Sequence, residues 1–259
     1  TVDVVQASDS AVGRDYDEQV RDYLYKMRHF DEPHKGDVCL DEKLFPILKS
    51  CVGRLKRLER AVGQGNYQLF SFDEALETAR NSSQVGPFPK AELDFMEMVF
   101  YENAAVYGFG GDKPLKGLTD RVKIREVEKV PCTGNYVFKG QPLATYKRIV
   151  RDLGDRVLLT SGIRGVPKQF LLFFNKTYAN DGNLSLASRS LAPPGYSYHG
   201  VGDFDVGQVG FGAANFTERF TTTEVWKRLV ALGYVGFRYD RGNELGVRFE
   251  PWHIRVTNA

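Results

Sequence analysis

Histidine and cysteine are scarce in this 259-residue chain, with four of the first and three of the second. The cysteines are Cys39, Cys51 and Cys132. They form no C-x-x-C pair and sit beside no histidine cluster, which argues against a zinc site built on thiolates. Cys39 and Cys51 are candidates for a disulfide in an oxidising compartment, and three buried thiols are the alternative. No apolar run approaches the roughly 20 residues that cross a bilayer. There is no lysine/arginine block and no basic helix interleaved with aromatics, and the net charge is only +2. Nucleic acid is therefore a poor candidate partner. Internal repeats and low-complexity segments are missing too. The opening "TVDVVQASDS" has neither an initiator Met nor an apolar leader. That start is expected of a processed or trimmed N-terminus whose targeting signal has been removed.

What remains is an ordinary globular composition, 42% hydrophobic and 26% charged, which excludes a disordered or collagen-like chain. The first half reads as helical. "DYDEQVRDYLYKM" and "KLFPILKSCVGRLKRLERAV" carry apolar residues at helical spacing, with Pro46 placed in a first turn. "SFDEALETAR" has the capping-box pair Ser71 and Glu74. "KAELDFMEMVFYENAAVYGF" reads as one long helix ending at Gly108.

The texture changes near residue 125. Short strands are expected at "NYVFKG", "RVLLTSGIRG", "VGFRYD" and "VRFEPWHIRV". Helices are expected at "PLATYKRIVRDLG", at "PKQFLLFFNKTYAN" from Pro167, and at "TTTEVWKRLVALGY" with Thr221 and Glu224 as its capping box. The fold class is α+β: a helical N-terminal region followed by a small α+β domain. The boundary falls within 112–135, dividing a helical domain, 1–125, from a second domain, 126–259.

The stretch "GYSYHGVGDFDVG", Gly195 to Gly207, gathers His199, Asp203 and Asp205 among four glycines. Near the C-terminus, "EPWH" sets Glu250 three residues before His253. Two histidines and one aspartate would fill the three protein positions of a catalytic zinc site, and a further carboxylate could take a proton from water there. Both pairs carry a geometric problem. His199 and Asp205 would stand roughly 20 Å apart on a straight strand. They can share a metal only if the chain folds back, which Gly200 and Gly202 would permit. Glu250 and His253 would point to opposite faces of a strand unless Pro251 interrupts it. Taken singly, each motif is more often structural than catalytic.

Three blocks in order, "SGIRGVPKQ", "PPGYSYHGVGDFDVG" and "FEPWHIR", resemble the VanY-type D-alanyl-D-alanine carboxypeptidases, within the lysostaphin, D-Ala-D-Ala peptidase and hedgehog group of zinc peptidases. The resemblance covers roughly residues 135–259. It implies a zinc peptidase domain with an antiparallel sheet, and Zn2+ held by His199, Asp205 and His253. It also implies Glu250 as general base, Arg164 as stabiliser of the oxyanion, and Ser161, Gln169 and Ser197 near the substrate's terminal carboxylate. Two departures stand out. The family leaves six residues between the first histidine and the aspartate. Here Asp205 leaves five, and Val206 stands at the family spacing. Asp205 is the preferred ligand because it lies in the apolar "FDV"; Asp203 is the alternative. Ile163 and Gly165 replace the family's Tyr and Ser, which affects fine substrate contacts rather than the metal.

The function implied is a periplasmic or secreted zinc carboxypeptidase that removes the terminal D-alanine from peptidoglycan stem peptides, with water on the zinc as nucleophile. An L,D-carboxypeptidase or an endopeptidase on the same substrate, and a non-catalytic module that binds wall peptides, are the alternatives. His29 and His34 fall in a charged loop and are expected to be solvated, and Trp252 is expected to serve packing.

Overall fold

The structure is a computed structural model, and it describes residues 18–256. The opening "TVDVVQASDS" lies outside the described residues. The first half is helical: residues 18–28 (α1), Phe45–Val62 (α2), Gln64–Tyr67 (α3), Phe72–Asn81 (α4) and Lys90–Tyr101 (α5). On α2 the buried residues are Leu48, Cys51, Val52, Leu55 and Leu58, a stripe at three- and four-residue steps. Pro46 sits in the first turn of α2, where its missing N–H costs nothing. Ser71 caps α4 in a reciprocal box with Glu74.

The expected long helix through Gly108 is instead two pieces. α5 ends at Tyr101, and Asn103 then caps a separate 3-10 turn, Ala104–Tyr107, by accepting from the Ala105 N–H. The asparagine side chain offers the backbone a partner outside the helix, and the helix stops there.

The second half alternates strands and helices. Val127–Lys129 (β1) pairs antiparallel with Tyr136–Phe138 (β2). Gln141–Leu153 (α6) leads to Val157–Ser161 (β3), then to Val166–Ala179 (α7) and Leu184–Ser188 (α8). Phe204–Gln208 (β4), Glu224–Ala231 (α9), Gly236–Phe237 (β5) and His253–Arg255 (β6) complete the set. The larger sheet has the order β3-β4-β6-β5, with every neighbouring pair antiparallel. The architecture is α+β. Two expected elements are altered. Thr223, not Thr221, caps α9 by accepting from the Trp226 N–H, because residues 218–222 form a 3-10 turn of their own. The strand expected over "VRFEPWHIRV" shrinks to His253–Arg255, because Pro251 and Trp252 make a turn.

Two hydrophobic clusters organise the molecule. One packs α7 against α2, α4 and α5, with Phe170 and Phe174 fully buried among Phe72, Phe95 and Phe100. It draws residues from both sides of position 125. The other sets Phe204, Val206 and Ile254 of the sheet against Ile149 and Leu153 of α6 and Val225 and Leu229 of α9. Side chains alternate along a strand, so burying Phe204 and Val206 in this cluster turns Asp205 to the opposite face. No helix among the described residues is long and apolar enough to cross a membrane. All three cysteines are free thiols. Cys51 is buried while Cys39 and Cys132 are exposed, so neither the disulfide nor three buried thiols is found.

Candidate metal centre

The sheet register builds the site. Ser161 of β3 faces Asp205 of β4, and Asp205 faces His253 of β6, so the three stand in one row across three strands. A register shift between Leu159 and Ser161 brings Ser161 into that row. His199 reaches the row from a 3-10 turn, Tyr198–Gly200. The Tyr198 carbonyl accepts from the N–H groups of both Gly202 and Asp203, which folds the chain back between His199 and Asp205. Gly202 takes φ +140°, a conformation closed to most side chains. This turn is why a histidine and two aspartates lie among so many glycines.

The ligating atoms of His199, Asp205 and His253 all lie within 4.8 Å of one another, and all three residues are buried. Asp205 Oδ1 is 3.3 Å from His199 Nε2 and 3.2 Å from His253 Nδ1. The two imidazoles meet edge to face, 4.8 Å between centroids. His199 Nδ1 lies 2.7 Å from the Gly162 carbonyl, which accepts its proton and leaves Nε2 facing Asp205. His199 Nε2 and Asp205 Oδ1 are both buried without a hydrogen-bond partner. Two orphaned buried polar atoms aimed at one point are costly in a folded protein. A cation at that point would satisfy both, so the donor set fits a metal of the zinc type.

Glu250 joins from outside the strand. His253 N–H donates to the Glu250 carbonyl at 3.1 Å, closing a turn with Pro251 at its second position. That turn, rather than a distorted strand, lets Glu250 and His253 converge: Glu250 Oε2 is 3.7 Å from His253 Nδ1. Burial pushes the Glu250 carboxyl up to about 7, although His253 and Arg248 pull the other way. Burial, with Arg164 nearby, holds His199 down at about 4. For His253, burial opposes the charge, but the flanking carboxylates of Asp203 and Asp205 outweigh it and raise the ring to about 9. Asp203 and Asp205 are held below the usual carboxylate range by the histidines and arginines around them, against the opposing effect of burial.

The other expected site residues divide. Arg164 lines the cleft, donating to Asp205 Oδ2 at 2.8 Å and to Ser161 Oγ at 2.9 Å. Ser197 also lines it. Ser161 stands behind Arg164, and neither it nor Gln169 is among the cleft-lining residues. The Gln169 amide donates to the Ala192 carbonyl, while its Oε1 is buried without a partner. Asp203 is not in the three-ligand group. It lies behind His253, bound to Arg238. Trp252 packs in the second cluster with one face on the cleft. His29 and His34 are half-buried and bond within their own loop.

Sequence reasoning missed Arg248, Arg238 and the Gly162 carbonyl. Arg248 lines the cleft 3.8 Å from Glu250 Oε1 and lies over Trp252. Its place two residues before Glu250 was the only available signal.

A buried pair of histidines and an aspartate, with a second carboxylate beside them in an open cleft, is a donor set that could hold a metal ion with a base at hand, as metal-dependent hydrolases require. Residues 144–258 match the family model for VanY: D-alanyl-D-alanine carboxypeptidase, the same family that the three sequence blocks resemble. Among solved structures, the chain is similar to the LdcB LD-carboxypeptidase, described with its peptidoglycan recognition, at 25% identity and TM-score 0.41. The match covers 50% of this chain and 62% of LdcB. A variant of the vancomycin-resistance D,D-pentapeptidase VanY from a VanB-type cassette, in complex with Zn(II), is 26% identical with TM-score 0.40, covering 51% of this chain and 78% of that one. VanYB in complex with D-alanine-D-alanine gives the same identity and TM-score, covering 51% and 76%. No curated protein matches the chain.

Proposed function

We propose that this protein is a zinc-dependent carboxypeptidase that removes the C-terminal D-alanine from peptidoglycan stem peptides, and that it works outside the cytoplasm. One observation carries the reading: Glu250 reaches the same cleft as His199, Asp205 and His253, with its carboxylate 3.7 Å from a ligating nitrogen. A binding module would need the three ligands but no buried base beside them.

His199 through Nε2, His253 through Nδ1 and Asp205 through Oδ1 would hold the zinc. When bound, zinc supplies Lewis acidity to water and to the scissile carbonyl. Glu250 takes the proton of the attacking water and returns it to the leaving amine. Arg164 sits against Asp205 with its guanidinium on the cleft, where it stabilises the developing oxyanion. Ser197 offers a hydroxyl on the same wall, near the substrate's terminal carboxylate. Gln169 would reach that carboxylate only after leaving Ala192, and Ser161 acts by holding Arg164.

The test is digestion of purified muropeptides by zinc-loaded protein, with released amino acid measured. Free D-alanine from pentapeptide stems is the expected product. Release from tetrapeptide stems alone would make the enzyme an L,D-carboxypeptidase, and cleavage inside cross-links an endopeptidase. Binding of stem peptides without release at any metal loading would overturn the enzyme reading in favour of a binding module.

A further inference from the structure

Two carboxylates grip one imidazole from opposite sides. Asp205 Oδ1 lies 3.2 Å from His253 Nδ1, and Asp203 Oδ2 lies 3.0 Å from His253 Nε2. The two aspartates are two residues apart, a spacing that puts both side chains on one face, with the ring between them. A neutral imidazole carries a single N–H. It can donate to only one of the two carboxylates, and the other nitrogen then offers a lone pair.

The surroundings decide which. Asp203 does not line the cleft and its side chain is fully buried. Its Oδ1 accepts from the Val256 N–H at 2.9 Å and from Arg238 Nη2 at 3.2 Å. Its Oδ2 accepts from Arg238 Nε. The fork of Arg238 therefore holds both oxygens, a geometry that fixes a carboxylate in its plane. Arg238 is itself held. Its guanidinium lies 3.6 Å above the Tyr198 ring, next in sequence to His199. Its N–H donates to the His253 carbonyl at 3.3 Å. Asp205, in contrast, lines the cleft and faces His199.

We propose that Asp203 and Arg238 form a positioning clamp that fixes the tautomer and orientation of His253, holding the proton on Nε2 and presenting the Nδ1 lone pair to the metal. The inference rests on the reading of His199, Asp205 and His253 as ligands. Asp203 is then a positioning residue and not a ligand. Without it the ring can turn about its Cβ–Cγ bond or carry its proton on the wrong nitrogen. Groups that orient metal-bound histidines in this way typically contribute about 10–100-fold to metal affinity.

The experiment measures zinc affinity of the full chain by competition with a chromophoric chelator, beside the thermal midpoint of the metal-free protein. Asp203→Ala is expected to weaken zinc binding about 10–100-fold. Asp203→Asn, whose carbonyl still accepts from Nε2–H, is expected to recover part of that loss. A folded Asp203→Ala variant with wild-type affinity overturns the clamp, and so does Asp203→Asn falling as far as Asp203→Ala. If Asp203→Ala does not fold, nitrogen-15 imidazole spectra of the zinc-loaded wild type decide. Protonated Nε2 on His253 supports the clamp, and protonated Nδ1 overturns it. Wild-type protein that binds no zinc would overturn the ligand reading as well, which separates the two failures.

Discussion

Glu250 Oε2 lies 3.7 Å from His253 Nδ1, so the carboxylate and the nitrogen proposed to bind zinc are brought together by a single turn. A base placed there acts on the transition state far more than on the bound ground state. Glu250→Gln keeps the size and hydrogen-bonding capacity of the side chain but cannot accept the proton. The expected result is unchanged zinc content and near-normal peptide affinity, with turnover reduced about 10²–10⁴-fold. Near-normal release of amino acid by this variant would remove Glu250 from the mechanism.

The same residue predicts a pH effect with a defined sign. Burial raises Glu250 to about 7 in the metal-free site. A cation on His199, Asp205 and His253 would favour the ionised carboxylate and move its titration to lower pH. Infrared titration of the carboxylate should give a midpoint near 7 without zinc and a lower one with it. In the zinc enzyme, kcat/KM should rise with pH through that lower value. A midpoint that stays put or rises on zinc addition would place the cation elsewhere.

His253 adds a stability effect. Its proton affinity is raised from 6.5 to about 9 in the metal-free fold. A group whose folded value is raised contributes stability below its unfolded value and loses it as pH climbs through the folded one. The thermal midpoint of the metal-free protein should therefore fall between pH 6.5 and 9. His199 and Glu250 are shifted mainly below that window. Zinc replaces the proton on His253, so zinc-loaded protein should show a flatter profile. Identical slopes with and without zinc would count against His253 as a ligand.

How much of this was legible in the sequence depends on the range of each contact. The Ser71–Glu74 box and Pro46 act within one helical turn, and both were read correctly. The α+β class followed from periodicity that changes near residue 125. The break at Asn103 was not read, because the apolar pattern runs on through Val106 and Tyr107 while a single side chain ends the helix. His199, Asp205 and His253 could be named from motif order, although their convergence depends on the Tyr198 carbonyl and on strand register. Arg238 and the Gly162 carbonyl could not be named. Arg238 meets Asp203 across 35 positions and Gly162 meets His199 across 37, and no local pattern encodes either contact.

The shared core bears on how far the chain can be divided. Phe170 and Phe174 of α7 are fully buried against rings of α4 and α5. Removing residues before 126 would expose both. Each buried Phe is worth about 1.5–3 kcal/mol, against a total stability of about 5–15 kcal/mol for a typical domain. A fragment of residues 126–259 is expected to be unfolded or aggregated, and to recover when residues 1–125 are supplied in trans. A monomeric fragment with a sharp thermal transition would show instead that the second half stands alone.

Gly162 joins packing to the metal site and gives the sharpest single substitution. A Cβ there would lie 2.0 Å from the Tyr136 carbonyl oxygen, a backbone atom that cannot swing aside. The strand end would have to move, and overpacking of this kind typically costs about 1–3 kcal/mol. The Gly162 carbonyl also accepts from His199 Nδ1 at 2.7 Å, so the movement would pull on a ligand. Gly162→Ala should lower the denaturation midpoint and weaken zinc binding together. Gly53→Ala is the control. It lies inside α2, its added Cβ would meet only Arg57 Nη1 at 3.5 Å, and helix interiors favour alanine over glycine by about 0.5–1 kcal/mol. Gly53→Ala should therefore be neutral or stabilising, with zinc affinity unchanged. A Gly162→Ala protein as stable as wild type, binding zinc as tightly, would mean that the Tyr136 strand yields and that the Gly162 carbonyl does not set the position of His199.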